Sequence, residues 1–335
     1  MKKRTKKLLH IGTRPGGHIH PPASANRQRL FASFSRKRRP SFLPLFLCLA
    51  AAPPAPVTQI APGIFVRHGE TADATKANAD GIANIGFIVG DASVAVIDPG
   101  GSLIDGERLR AAIRAQTALP IRYVIMTHGH PDHIFGAAAF TQDHPDFVGS
   151  ARLPADIAAR GDYYRQRLAA LLGEQNAGTA IPPTHLVKTT DSIDLGNRIL
   201  TLHAWPPAHS EDDLTIMDAK TSTLWAGDLL FVGRIPSLDG NLKLWIQSLQ
   251  DLQAIHAARA VPGHGPVSVP WPSAGDAEAR YLNTLLHDVR AAIAKGDDIG
   301  RAVSTAAQTE RGKWALFDDY NGHNVTVAYK ELEWE

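Results

Sequence analysis

Short apolar runs with β-like composition alternate along this chain with stretches of helical spacing, from about residue 57 to the end. Gly86-Phe87-Ile88-Val89 and Ser93-Val94-Ala95-Val96-Ile97 read as two strands joined by a Gly90-Asp91 turn. Residues 122–126, RYVIM, have the β-branched and aromatic content of a buried strand and lead straight into Thr127-His128. Residues 186–202 read as two or three short strands around Leu195-Gly196-Asn197. Residues 214–217 and 223–226 pair across the turn 218–222, and 260–261 form a short strand. Helical spacing predicts helices over 108–117 (stopped by Pro120), 134–140, 156–172, 245–258 and 277–295. Interleaved strands and helices imply one α/β layered domain over 57–335. The tail from Gly312 carries Trp314, Phe317, Tyr320, Tyr329 and Trp334, too aromatic to hang in water, and is expected to dock on the body.

Composition changes this picture mainly at the N-terminus. The 335 residues are 44% hydrophobic and 20% charged, as in an ordinary globular protein. The single cysteine, Cys48, excludes an internal disulfide framework and any CxxC motif. Residues 1–56 hold twelve Lys or Arg and no acid, which leaves 23 basic against 33 acidic residues and a net charge of −10 for the rest. The basic stretch is followed by SFLPLFLCLAAA at 41–52 and then PPAPV. That order of positive region, short apolar run and small-residue exit is the pattern of a secretory signal peptide over 1–52, placing the mature chain in the periplasm or outside the cell. A retained anchor, a lipid-modified Cys48 and a twin-arginine signal at Arg38-Arg39 are rival readings of the segment. The acidic, cysteine-free body is a poor partner for nucleic acid, and no run reaches the ~20 apolar residues of a spanning helix.

The sharpest chemical signal is Thr127-His128-Gly129-His130-Pro131-Asp132-His133, an HxHxDH motif at the end of a buried strand. Imidazole and carboxylate are the ligands that borderline divalent metals such as zinc prefer. Four such groups in six residues cannot all aim at one tetrahedral ion, so the spacing suggests two neighbouring ions, each short of ligands. His209 in PPAHS, Asp228 in WAGD and His264 in VPGHG share one context: an apolar strand that delivers a polar residue where a Gly- or Pro-containing loop begins. That shared context places all seven at one edge of a sheet.

These segments resemble the metallo-β-lactamase superfamily over about residues 58–270, with Asp98 in Val-Ile-Asp-Pro-Gly matching its first motif. The resemblance implies a four-layer αββα sandwich with added C-terminal helices. It implies that His128, His130 and His209 bind one metal, that Asp132, His133 and His264 bind the second, and that Asp228 bridges them, with Asp132 also given a catalytic role. Two zinc ions are the expected cofactor, with iron or manganese as other occupants. An aspartate at the bridging position makes the chain more similar to glyoxalase II and lactonase members than to true β-lactamases. Residues 223–252 and the tail WALFDDYNGHNVTVAYKELEWE are similar to a SoxH-like branch termed quinoprotein relay system zinc metallohydrolases, which implies a periplasmic quinoprotein dehydrogenase as partner.

The function expected on this basis is hydrolysis of a small-molecule ester, thioester, lactone or amide by a hydroxide held between the metals. A mononuclear-iron redox enzyme similar to persulfide dioxygenases and a noncatalytic accessory of a quinoprotein system are the alternatives. His203 is read as a core residue or a neighbour of a ligand, and His68, His144, His185, His256, His287 and His323 as surface or helix residues. Arg234 and Lys243 are read as solvated charges, with anion binding as the other reading. Trp205, Trp245 and Trp271 are read as core, with pocket lining as the other reading.

Overall fold

The structure, a computed structural model, describes residues 52–335. The export segment assigned to 1–52 therefore lies outside the described residues, Ala52 apart.

Two sheets face each other. The first contains β1 (Thr58–Ala61), β2 (Ile64–Arg67), β3 (Ile85–Val89), β4 (Val94–Ile97), β5 (Ile121–Ile125), β6 (Asp146–Ser150) and β7 (His185–Val187), in that spatial order. Pairing is antiparallel from β1 to β4 and parallel from β4 to β7. The second contains β8 (Thr190–Asp194), β9 (Ile199–Ala204), β10 (Leu214–Asp218), β11 (Thr223–Phe231), β12 (Arg259–His264) and β13 (Val269–Pro270), antiparallel except between β11 and β12.

Side chains alternate across each strand and so feed two cores at once. From β4, Val94 and Val96 point outward, while Ala95 and Ile97 point to the space between the sheets. From β11, Leu224 and Ala226 point outward and Trp225 inward. The middle core joins Ile88, Ile97 and Ile125 of the first sheet to Leu202, Ile216 and Trp225 of the second. Outside the first sheet lie α1 (Leu103–Gln116), α2 (Pro131–Ile134), α3 (Leu153–Leu172) and α4 (Glu174–Ala177), with a 3-10 segment over Phe135–Asp143. Outside the second lie α5 (Leu242–Gln253), α6 (Asp276–Ala294), α7 (Ile299–Thr305) and α8 (Phe317–Leu332). The result is a four-layer αββα sandwich with additional C-terminal helices.

Several boundaries differ from the sequence reading for identifiable reasons. The helix expected at 134–140 begins instead at Pro131, whose fixed φ suits a first helical position, and continues mostly as 3-10 turns. The helix expected at 245–258 starts at Leu242, because the Asn241 side chain accepts from Leu244 N at 2.9 Å, and ends at Gln253. Strand β6, DFVGS, was not expected at all. Only two of its five residues are large and apolar, so its parallel pairing with β5 decides its conformation. Trp314 and Phe317 of the tail are buried, but Trp334 is 86% exposed and does not dock. Among the described residues no helix is long and apolar enough to cross a membrane.

Candidate metal centre

Both sheets deliver polar residues to one edge. Asp98 follows β4, residues 127–133 follow β5, His209 lies between β9 and β10, and Asp228 and His264 belong to β11 and β12. The sequence reading put Asp228 and His264 just past strand ends. The structure extends both strands to include them. In β11 the register shifts at Gly227, whose φ of +54° kinks the strand so that Asp228 turns to the edge.

All seven candidate ligands meet there. One nitrogen or oxygen from each of His128, His130, His209 and Asp228 lies within 4.8 Å of the others, and the same holds for Asp132, His133 and His264. Asp228 reaches both groups. Its Oδ2 lies 3.4 Å from His209 Nε2 and 3.4 Å from His264 Nε2, and its Oδ1 lies 3.1 Å from His133 Nε2. His264 Nε2 lies 3.2 Å from Asp132 Oδ2. A Cβ at Gly263 would stand 1.8 Å from Asp228 Oδ1, so only glycine leaves room for that carboxylate.

The outer ring nitrogens explain why the inner ones are bare. His133 Nδ1 donates to Asp98 Oδ2 (2.8 Å), His209 Nδ1 to the Ser237 carbonyl (2.6 Å) and His130 Nε2 to Asp239 Oδ2 (3.1 Å). His128 Nδ1 lies 3.1 Å from Thr127 Oγ1, whose own proton goes to Asp98 Oδ2 at 2.9 Å. Asp98, which also accepts from Thr127 N at 2.8 Å, thus orders two imidazoles at once. His264 Nδ1 has both the Ile82 carbonyl (3.0 Å) and an Arg234 guanidinium nitrogen (2.8 Å) beside it.

With the outer nitrogens as donors, His130 Nδ1 and His209 Nε2 face each other as lone pairs 3.0 Å apart. Such a pair requires a cation, either a proton or a metal ion. His128 Nε2, His133 Nε2 and Asp228 Oδ1 are buried without a hydrogen-bond partner. Buried orphans of this kind are costly in an ordinary core and are accounted for by a coordinated cation. The donor set, imidazole and carboxylate with no thiolate, fits a borderline divalent metal.

The electrostatics fit as well. Burial, reinforced by the neighbouring His133, holds His128 well below the usual histidine range, and burial lowers His209 to about 3. Burial also opposes charge on His133 and His130. On His133 it is outweighed by Asp228, Asp132 and Asp98, and on His130 by Asp239, so both are raised. Asp132 and Asp228 are ionised well below the ordinary carboxylate range, because the surrounding imidazoles outweigh desolvation.

Other residues named from the sequence fall elsewhere. His203 lies against Thr190 and Trp205, away from the cluster. Arg234 is not a solvated charge. It is 5% exposed, touches His264, and stacks 5.2 Å from the Tyr320 ring. Lys243 is exposed and pairs with Glu335. Trp205, Trp245 and Trp271 are core residues, and Trp245 also backs His209 at 5.2 Å between ring centroids. Asp239, Arg160 and Asp212 were missed. Asp239 binds both His130 and Arg160, while Asp212 accepts from Gly129 N at 3.2 Å inside the HxHxDH loop.

A sequence model of the Metallo-beta-lactamase superfamily matches residues 78–264, and the chain belongs to that family. The chain is 25% identical over 213 residues to a linear primary-alkylsulfatase of Pseudomonas sp., covering 52% of this chain and 40% of that protein. It is 26% identical over 162 residues to a hydroxyacylglutathione hydrolase of Tolumonas auensis, covering 48% and 52%. It spans between 37% and 52% of the length of the curated relatives it matches. Among solved structures, a metallo-beta-lactamase from Pontibacter korlensis superposes with a TM-score of 0.55 at 21% identity, over 68% of this chain and 98% of that one, a likeness of fold.

Proposed function

We propose that this chain is an exported dinuclear zinc hydrolase acting on a small ester, thioester, lactone or amide, with iron or manganese as other occupants of the same residues. The observation that carries this reading is Asp228, whose two oxygens reach both three-residue sets of bare ligands. His128, His130 and His209 would hold one ion, Asp132, His133 and His264 the other, with Asp228 shared. When bound there, two divalent ions acidify a water molecule and polarise the oxygen of the scissile bond. The two carboxylates offset the dications, and the Asp98, Ser237 and Asp239 contacts hold three imidazoles in the ligating tautomer. Asp132 and His130, with side chains 12% and 15% exposed, are the open edge of an otherwise buried cluster. An ionised Asp132 there can accept a hydrogen bond from an entering substrate or water, the catalytic role assigned to it. The hydrolase relatives support the reaction class, and the alkylsulfatase relative adds sulfate esters to the candidates. Export and association with a periplasmic quinoprotein dehydrogenase, the SoxH-like reading, rest on the sequence patterns alone.

Elemental analysis of the purified chain, followed by a panel of thioesters, lactones, aryl esters and alkyl sulfates, tests this. Two zinc per chain with chelator-sensitive turnover is expected. One iron per chain favours the redox alternative, and a fully metallated chain without turnover favours the accessory one.

A further inference from the structure

Next to the open edge of the centre lies a cleft of about 620 Å³, large enough for a drug-sized ligand. Pro131, between His130 and Asp132, forms part of its wall, which puts the cleft beside the edge where the cluster reaches solvent, although none of the seven candidate ligands lines it. The rest of that wall comes from three separate parts of the chain: Ala74 in the loop before β3, Leu168 and Leu171 on α3, and Tyr320 on α8. Tyr164 lies on the same face of α3 as Leu168 and Leu171. A polar substrate would leave these aliphatic and aromatic surfaces wet, whereas an apolar chain would dehydrate them.

The charges on the wall narrow the choice further. Asp73, hydrogen-bonded through Oδ1 to the Tyr320 hydroxyl at 2.5 Å, and the buried Asp80 both border the cleft. The cation on the wall, Arg167, is engaged with Tyr163, donating to its hydroxyl at 3.0 Å and lying over its ring. An anionic tail would meet the Asp73 carboxylate and a guanidinium directed toward the outer face of α3.

Building on the hydrolase reading above, we infer that the cleft between α3 and α8 takes an uncharged alkyl or aryl chain of the substrate, attached to the scissile group at the Asp132 edge. The substrate class is then a medium-chain ester or thioester, and the cleft reads chain length and tail charge.

The test uses the zinc-loaded full chain with p-nitrophenyl acetate, hexanoate and octanoate and with the p-nitrophenyl monoester of adipic acid. A fully buried methylene should raise kcat/KM by roughly fourfold, so octanoate should exceed acetate by at least about tenfold once two of its extra methylenes are buried, chiefly through KM. The adipate monoester should fall below hexanoate. Leu171→Trp and Ala74→Trp, which fill the cleft from α3 and from the loop before β3 at positions that are only partly buried, should collapse the octanoate-to-acetate ratio. A flat chain-length response with chelator-sensitive turnover overturns the cleft assignment and leaves the hydrolase reading standing, as does an adipate monoester that outruns hexanoate. If no ester is turned over, the wider panel above decides the hydrolase reading, and calorimetric binding of octanamide decides the cleft alone. Saturable binding lost in Leu171→Trp supports it, whereas no binding, or binding unchanged in that variant, overturns it.

Discussion

The Asp239 carboxylate lies 3.1 Å from His130 Nε2 and is held in turn by Arg160 of α3. The contact fixes which nitrogen of His130 faces the cluster, and it places a negative charge behind a candidate ligand. Replacing Asp239 with Ala should lower zinc affinity at the His128, His130 and His209 set by about 10–100-fold. Asp239→Asn should do less harm, because an amide oxygen still accepts from Nε2. A competitive chelator titration measures both. Equal affinities for wild type and Asp239→Ala would show that the contact does not support the ligand.

Gly263 offers a sharper steric test. Its missing Cβ leaves the space that Asp228 Oδ1 occupies. Gly263→Ala should displace Asp228, reduce bound metal below two ions per chain and lower turnover by several orders of magnitude. The backbone of β12 at this position is not in the left-handed region, but the added Cβ would also stand 2.8 Å from the Gly227 carbonyl carbon, so β11 must shift along with Asp228. Metal analysis beside circular dichroism separates these effects. A folded variant with two ions and full turnover would remove Asp228 from the shared position.

Much of this centre was legible because its residues announce themselves locally. The HxHxDH run concentrates four candidate ligands in six residues, and His209, Asp228 and His264 each follow a recognisable apolar strand. Asp228 was displaced from its expected place beyond the strand because the kink at Gly227 depends on pairing with β12, a non-local fact. Asp239 and Arg160 were not legible. Each is an ordinary surface-type residue in its own segment, and they gain a role only when α3 and the loop after β11 meet across 79 residues of sequence. Arg234 misled for a related reason: its burial comes from His264 and from Tyr320 of the last helix. Short, polar-ended β6 lacked any local signature of its own.

Opposed histidine shifts give the metal-free chain a defined pH response. His209 has a folded pKa of about 3, depressed by burial, against about 6.5 when unfolded. The folded state therefore binds fewer protons there, and this contribution to stability is complete above about pH 6.5 and lost as pH falls toward 3. His133 runs the other way. Its folded pKa is raised, so its contribution is present below about pH 6.5 and lost as pH rises through the raised value. His209→Gln should flatten the acid limb of a urea-stability profile by up to about 1.4 kcal/mol per pH unit. Zinc loading must expel the proton held by His133, so calorimetry in two buffers of different ionisation enthalpy should show proton release near neutrality. Identical acid limbs for the variant and wild type, or loading without proton release, would contradict these assignments.

Asn324 of α8 connects the C-terminal helices to the centre. Fully buried, it donates to the Pro236 carbonyl at 2.7 Å, accepts from Leu238 N at 2.9 Å and meets the Tyr281 hydroxyl at 2.8 Å. Those bonds pin the loop whose Ser237 carbonyl orients His209 and whose Asp239 orients His130. Asn324→Ala would strand two buried backbone groups and should destabilise the fold by about 2–3 kcal/mol. If the helix also positions the ligands, zinc affinity should fall in the same variant even at temperatures where it is fully folded. Asn324→Asp keeps the acceptor for Leu238 N but cannot donate to Pro236, so its affinity should lie between the two. A loss of stability with unchanged zinc affinity would make α8 a packing element only, whereas a graded loss of affinity from wild type through Asp to Ala would tie the added helices to the geometry of the metal centre.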